Sequence, residues 1–224
     1  WRDLRRAPAL SLLFGAVIVL ISAGISWLAY ALGRFALLAT LLSGFVFVAP
    51  LICVGLYCVS RALEQGRTPR LRDSFVLARR VLGQAGVFAL GQGVIILLWS
   101  RAGMMVGAFF PFDGGDPGAF WEFLALGSAV GAVFATLTFA VTAFSLPMIA
   151  DRDVDMVTAA VSSVHAVMRN KRVMLVWGLL LVVLTAVGFA TALLGLGVLM
   201  PWLAYASWHG YRETLDAAAW PALE

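Results

Sequence analysis

Stretches of about 20 mainly apolar residues, the length that crosses roughly 30 Å of hydrocarbon, recur from one end of this sequence to the other. No other feature restricts the fold so much. A segment in lipid must satisfy its backbone N–H and C=O groups without water, and the α-helix does this within a single segment. Ala9–Tyr30, Phe35–Val59, Gly83–Gly103, Phe120–Ile149 and Val173–Tyr211 all qualify. The last of these holds 39 residues, about 58 Å as one helix at 1.5 Å per residue, so it must fold back. Gly188, Gly195 and Gly197 offer the place for a reversal, dividing it into spans over 173–192 and 195–213. The fold class predicted is all-α, a polytopic transmembrane bundle of six spans in a single domain covering residues 1–224. Composition agrees, with 12% charged residues against about a quarter in soluble domains, and no Ser/Pro/Gly-rich linker divides the runs. Because the sequence opens on Trp1, a few residues are expected to precede it. The first run is too long for a signal-peptide core and lacks a cleavage site.

Charge placement gives the orientation. A net charge of +4 and a pI near 9.6 would raise nucleic acid as a partner for a soluble protein, but here the positive-inside bias explains them and no nucleic acid is expected. With six spans and both termini in the cytoplasm, every basic residue except Arg34 and Arg101 falls in a cytoplasmic segment. The opposite face carries the acidic loop with Asp113 and Asp116. Two cytoplasmic connections have helical periodicity. Over 70–82 Leu71, Phe75, Ala78 and Leu82 oppose Arg72, Asp73, Arg79 and Arg80. Over 154–169 Val154, Val157, Val161, Val164 and Met168 form one stripe, with Asp155, Ser162, Ser163 and Arg169 elsewhere. Amphipathic helices in the headgroup layer or under the bundle are expected, the second capped by Asp151 or Asp153. Met104–Phe112 is too short to span and reads as an interfacial or re-entrant piece. Gly44, Pro50 and Arg61 are matched in spacing by Gly195, Pro201 and Arg212, with Tyr57 against Trp208 in that alignment, a faint internal echo.

Residues able to carry chemistry are few. Ionisable groups deep in a span are costly and mark function when present, and only Arg101 comes close. It is expected to snorkel to the outer headgroups beside Trp99, or else to pair with Asp113, Asp116 or Glu122 as a candidate outer-face site. Asp151, Arg152, Asp153 and Asp155 form the densest charge cluster. It reads as a helix cap with a dipole match, or as a candidate interaction or cation site, since carboxylates supply hard oxygen ligands. His165 and His209 both fall on the cytoplasmic side, without the spacing of a metal or haem site. Cys53 and Cys58 lie about 140° apart around a helix, so no disulfide and no redox motif is expected. Gly127 and Gly131 form a Gly-x-x-x-Gly pair inside the fourth span, and Gly103 and Gly107 another at the end of the third, candidates for helix packing within this chain or onto another. No metal and no cofactor is expected, and no catalytic residue can be assigned.

The stretches APLICVGLYCVSRALEQG, PMIADRDVDMVTAAVSSVHAVMRN and WHGYRETL resemble a proteobacterial family of predicted integral membrane proteins of unknown function. Some of its members are labelled cytochrome c oxidase subunit I. The catalytic oxidase subunit is a haem and copper protein with an array of intramembrane histidines, and this chain has two histidines, neither deep in a span. The resemblance implies a bacterial inner-membrane location and brings no activity. The lack of buried polar chemistry then points to a non-catalytic accessory, assembly or interaction subunit, associated with a larger respiratory or photosynthetic membrane complex or with itself. A small carrier or lipid-handling protein, with Pro50, Pro147 and Pro201 breaking helices around a midplane site, is the alternative. An enzyme built on Asp151, Asp153, Asp155, His165 and His209 would need those groups to converge on a cleft.

Overall fold

The computed structural model describes residues 1–31, 52–110 and 117–223. The described chain is helical: α1 (Arg2–Arg6), α2 (Pro8–Ala31), α3 (52–64), α4 (Leu71–Arg80), α5 (Leu82–Phe109), α6 (Pro117–Thr142), α7 (Ser145–Asp151), α8 (Met156–Arg169), α9 (Lys171–Ala190) and α10 (Leu196–Thr214). Among the described residues four stretches are long and apolar enough to cross a membrane: Pro8–Leu28, Leu82–Phe109, Gly118–Asp151 and Lys171–Ala190. α10 is one residue shorter than α9 and less apolar, because its last turns carry His209, Arg212 and Glu213. The outer half of the second expected span, with Gly44 and Pro50, lies outside the described residues.

α5 corrects one expectation. It runs unbroken to Phe109, so Met104–Phe109 continues the span instead of forming a separate interfacial piece. No proline or polar insertion interrupts the ladder there, and apolar residues in lipid have no reason to leave the helix.

The fourth expected span breaks near its inner end, and the cause is local. Pro147 has no N–H to donate to the carbonyl four residues back, and α6 stops at Thr142 before α7 begins. The fully buried hydroxyl of Ser163, from α8, enters the break. It donates to Ala140 O at 2.7 Å and accepts from Phe144 N–H at 3.0 Å, two groups four residues apart that would otherwise bond to each other. A side chain inserted into the helical ladder is a recognised cause of a kink. Ser163 therefore belongs to the buried side of α8, with Ala159, Ala166 and Val167, while Val157, Val161 and Met168 of the expected stripe are exposed.

α2 and α10 lie antiparallel and pack closely on each other. A Cβ on Gly15 would fall 1.8 Å from the Gly197 carbonyl oxygen, so only glycine fits. Pro201 has no N–H to serve that carbonyl, and the Gly15 hydrogen standing in the Cβ position points at it, a weak Cα–H···O contact. The turn between α9 and α10 carries positive φ at Ala192 and Leu193. Its glycines answer crowding: a Cβ on Gly188 would meet the Leu196 side chain at 2.3 Å, and one on Gly195 the Thr191 hydroxyl at 2.4 Å. Thr191 Oγ1 ties the turn, donating to Gly188 O and accepting from Gly195 N–H, both at 2.8 Å. Leu196 packs with Ile18, so the reversal sits beside the middle of α2, which runs on for about 18 Å past Val19.

The buried core gathers at one end of the bundle. It is formed by the C-terminal part of α3, α7, the buried side of α8 and the second half of α10, with Trp208, Tyr205 and Tyr211 its largest side chains. Tyr57 stacks on Trp208 with ring centroids 6.1 Å apart. Away from this end the helices carry apolar side chains that no other described helix covers, such as Trp27, Leu97, Phe109 and Val182.

Gly15→Ala is expected to lower the stability of the detergent-solubilised protein by about 1–3 kcal/mol, the range for overpacking. Gly127→Ala, whose Cβ meets nothing within 4 Å, should stay within about 0.5 kcal/mol. Ser163→Ala leaves the buried Phe144 N–H without its acceptor, and a cost of about 1–3 kcal/mol is expected. Thermal unfolding of the three variants against the parent checks all of this.

Candidate functional site

The polar groups of the described chain converge where its two ends meet. α1 brings Asp3 against the last turns of α10, and Trp1 meets Trp202 edge to face at 5.8 Å. Asp3 is buried, and its Oδ2 accepts from Ser60 Oγ of α3 at 2.7 Å and contacts His209 Nε2 at 2.8 Å. The other ring nitrogen, Nδ1, lies 3.3 Å from Glu64 Oε1. Both nitrogens thus face carboxylate oxygens, an environment that the imidazolium fills with two donors. Glu64 also faces Arg212, Nε to Oε2 at 3.7 Å.

A second centre is Asp151, at the C-terminus of α7. Its Oδ2 accepts from Arg152 Nε at 3.0 Å, Tyr211 Oη at 3.0 Å and Arg212 Nη1 at 3.3 Å. Arg212 therefore joins the two centres. The C-terminal segment closes over them: Leu223 N–H donates to Asp151 O at 2.9 Å, Asp153 N–H to Pro221 O at 3.0 Å, and Arg152 Nη1 to Trp220 O at 3.1 Å. Arg61 Nη1 reaches Ala150 O at 3.4 Å and its Nη2 donates to Leu223 O. Deeper in, Ser11 Oγ donates to Ala7 O and contacts Tyr205 Oη, each at 2.7 Å. A serine has one proton to give, so Tyr205 is the donor in the second bond. The buried Trp208 Nε1 has no partner among the described residues.

The acidic run is divided among separate tasks. Asp151 is the buried centre just described, Asp153 is exposed, and the cap of α8 is Asp155 instead of Asp151 or Asp153. Its side chain accepts from Val157 N–H and Thr158 N–H at 2.9 and 3.0 Å. The reason is register: α8 begins at Met156, and the cap must immediately precede it. Hydrogen bonds from the Thr158 hydroxyl and backbone hold the Asp155 carboxyl below its ordinary value. His165 is exposed on α8, whereas His209 is held by Asp3 and Glu64. Among the described residues no group of three or more His, Cys, Asp or Glu is placed to hold a metal ion.

Arg101 is exposed on α5 and makes no ion pair among the described residues; Asp113 and Asp116 lie outside them. A Cβ on Gly131 would stand 3.8 Å from Trp99 Nε1, an ordinary contact. Gly103 and Gly107, like Gly127, have open space where a Cβ would stand. Cys53 and Cys58 are free thiols. A cavity of about 440 Å³ opens between α2, α3, α9 and α10, and the hydroxyl-bearing residues Ser22, Ser26, Tyr57, Thr185 and Ser207 interrupt its apolar lining.

Sequence reasoning did not single out Asp3, Glu64 or the Gly15–Gly197 crossing. One signal was available: His209 and Arg212 are three residues apart and so share a helix face, where a carboxylate partner was to be sought. That the partners would be Asp3, Glu64 and Asp151 depends on contacts far apart in the chain.

Residues 37–151 match the model of a family described as predicted integral membrane protein, DUF2189. The match covers just over half of the chain. The chain belongs to this family. No curated protein and no solved structure matches it. The DUF2189 match takes in Ser60, Arg61, Glu64 and Asp151 and stops before His209, Tyr211 and Arg212, so the charged cluster is assembled from both sides of the family boundary.

Asp3 provides a pH test. Burial raises its carboxyl pKa, but the hydrogen bonds from His209 and Ser60 outweigh this and leave it below its ordinary value. A carboxyl with a depressed folded pKa stabilises fully above its unfolded pKa, about 3.9, and that contribution disappears as pH falls through the folded value. Asp3→Asn is therefore expected to be less stable than the parent at pH 7 by about 1–2 kcal/mol. It should lose less on acidification, so that the two thermal-midpoint curves converge toward pH 3.

Proposed function

We propose that this integral membrane protein is a non-catalytic accessory, assembly or interaction subunit of the bacterial inner membrane, with both termini in the cytoplasm, that associates with other membrane subunits or with itself. The observation that carries this reading is where polarity and apolarity lie. The ionisable groups at the closed end bind one another and tie down the two chain ends. The long apolar helices leave much of their surface uncovered, and the most apolar window of Gly118–Asp151 holds no buried residue. The open face at Gly127 is where another helix could approach closely.

The contact between Asp3 and His209 supports an even number of crossings, since it brings α1 and the end of α10 to one side. In this reading the spans are α2, the segment ending in α3, α5, α6, and a last pair formed by α9 and α10. That pair is shorter, its reversal lying beside the middle of α2, and whether or not it emerges on the far side the chain ends stay together. α4 and α8 are the interfacial helices, and their arginines favour the cytoplasmic headgroups.

The cavity between α2, α3, α9 and α10 favours a second reading, a small membrane carrier or lipid-handling protein. Its hydroxyls could meet the polar part of a mostly apolar substrate.

Reporter tags fused before Trp1 and after Glu224 are expected to lie in the same, cytoplasmic compartment; opposite compartments would exclude the topology. Extraction in mild detergent is expected to yield either a self-associated species or a stoichiometric membrane partner. Gly127→Leu should disperse it while leaving the fold intact. A chain that runs only as a monomer under every mild condition would remove the subunit reading and leave the carrier.

A further inference from the structure

α4 buries a side that lies roughly a quarter-turn from the stripe its sequence advertises. It is anchored through Ser74 and Leu77, both buried, and Ser74 Oγ donates to Gly55 O of α3 at 3.1 Å. The apolar stripe of Leu71, Phe75, Ala78 and Leu82 is instead turned onto a groove against α2 and α3. Phe75 remains 64% exposed. The far wall is the first part of α2, with Leu13 and Val17, both partly uncovered. The groove has a volume of about 490 Å³, within the roughly 300–1,000 Å³ of ligand pockets, and among the described residues Arg79 is the only charged one lining it.

Arg79 is not an isolated charge. Arg72 lies seven residues earlier, two turns along the same face, and Arg67, Arg70 and Arg80 flank the pair. Asp73 is the one acid between Gln65 and Leu82. All five arginines are exposed, and none forms an ion pair among the described residues.

We propose that this groove binds an anionic glycerophospholipid, one acyl chain lying between α2 and the Leu71–Leu82 stripe of α4 and the phosphate held by Arg79 and Arg72. An apolar cleft beside a transmembrane helix calls for hydrocarbon. The uncompensated positive charge at its edge selects an anionic headgroup over a zwitterionic one, as basic segments next to membrane helices do. Guanidinium also suits phosphate through paired hydrogen bonds. The proposal rests on α4 lying at a membrane surface, as in the topology above, and is independent of any protein partner. Tag placement and lipid binding can therefore fail separately.

Native mass spectrometry of the full chain, purified in mild detergent and offered phosphatidylglycerol or phosphatidylcholine of matched chains, tests it. The parent is expected to retain phosphatidylglycerol in preference. Each of Arg79→Gln and Arg72→Gln, on exposed positions that leave the fold alone, should reduce that preference roughly fivefold. Leu13→Trp, which fills the groove, should reduce retention of both lipids while thermal stability is kept. Equal retention of the two headgroups by the parent, a preference unchanged in both arginine variants, or displacement of the lipid by inorganic phosphate alone would each overturn the proposal.

Discussion

Helices surrounded by hydrocarbon gain nothing from hiding apolar surface from water, so this bundle must be held by close packing and by polar groups that lipid cannot serve. Both devices operate on α10. Near its N-terminus Gly15 and Gly197 let two backbones meet at a distance that any side chain would forbid. Near its C-terminus His209, Tyr211 and Arg212 reach carboxylates on α1, α3 and α7. α10 thus ties α2 to the second half of the chain, while α5 joins it separately by packing on α6 and α8.

Asp151 shows why the charged cluster reads as structure before chemistry. One oxygen collects three donors, two of them cationic, an arrangement that offsets much of the cost of burying a carboxylate. The same side chain marks the point where α7 ends and the C-terminal segment returns, so the network sets the position of both. Ser163 plays a similar part at the α6–α7 break. Proline opens the ladder and a hydroxyl from α8 closes it, which fixes the angle at which α6 leads into α7 and the buried core.

The two amphipathic segments present a common lesson. Sequence periodicity marks their apolar stripes, and the usual assumption sends such a stripe to the core. In both helices a different side is buried, through Ser74 and Leu77 on α4 and through Met156, Ala159, Ser163, Ala166 and Val167 on α8. Much of each stripe is left uncovered, including Phe75 on α4 and Val157 and Val161 on α8. In a soluble protein this would be a fault. Beside a membrane it is the expected arrangement, because lipid is an apolar solvent as acceptable to phenylalanine and valine as a protein core.

Run length, helical period and the placement of arginine are local properties. Hence the sequence alone determined an all-helical membrane protein, the limits of α2, α4, α8 and α9 to within a few residues, and a reversal near Gly195. It also located the proline behind the α6–α7 break. Which acid caps α8, why Gly15 cannot be larger, and the pairing of Asp3 with His209 were decided only by tertiary structure. Each depends on atoms brought together from distant positions or on the register of a helix start, and an apolar sequence with 22 glycines offers many equivalent choices until the backbones are in place.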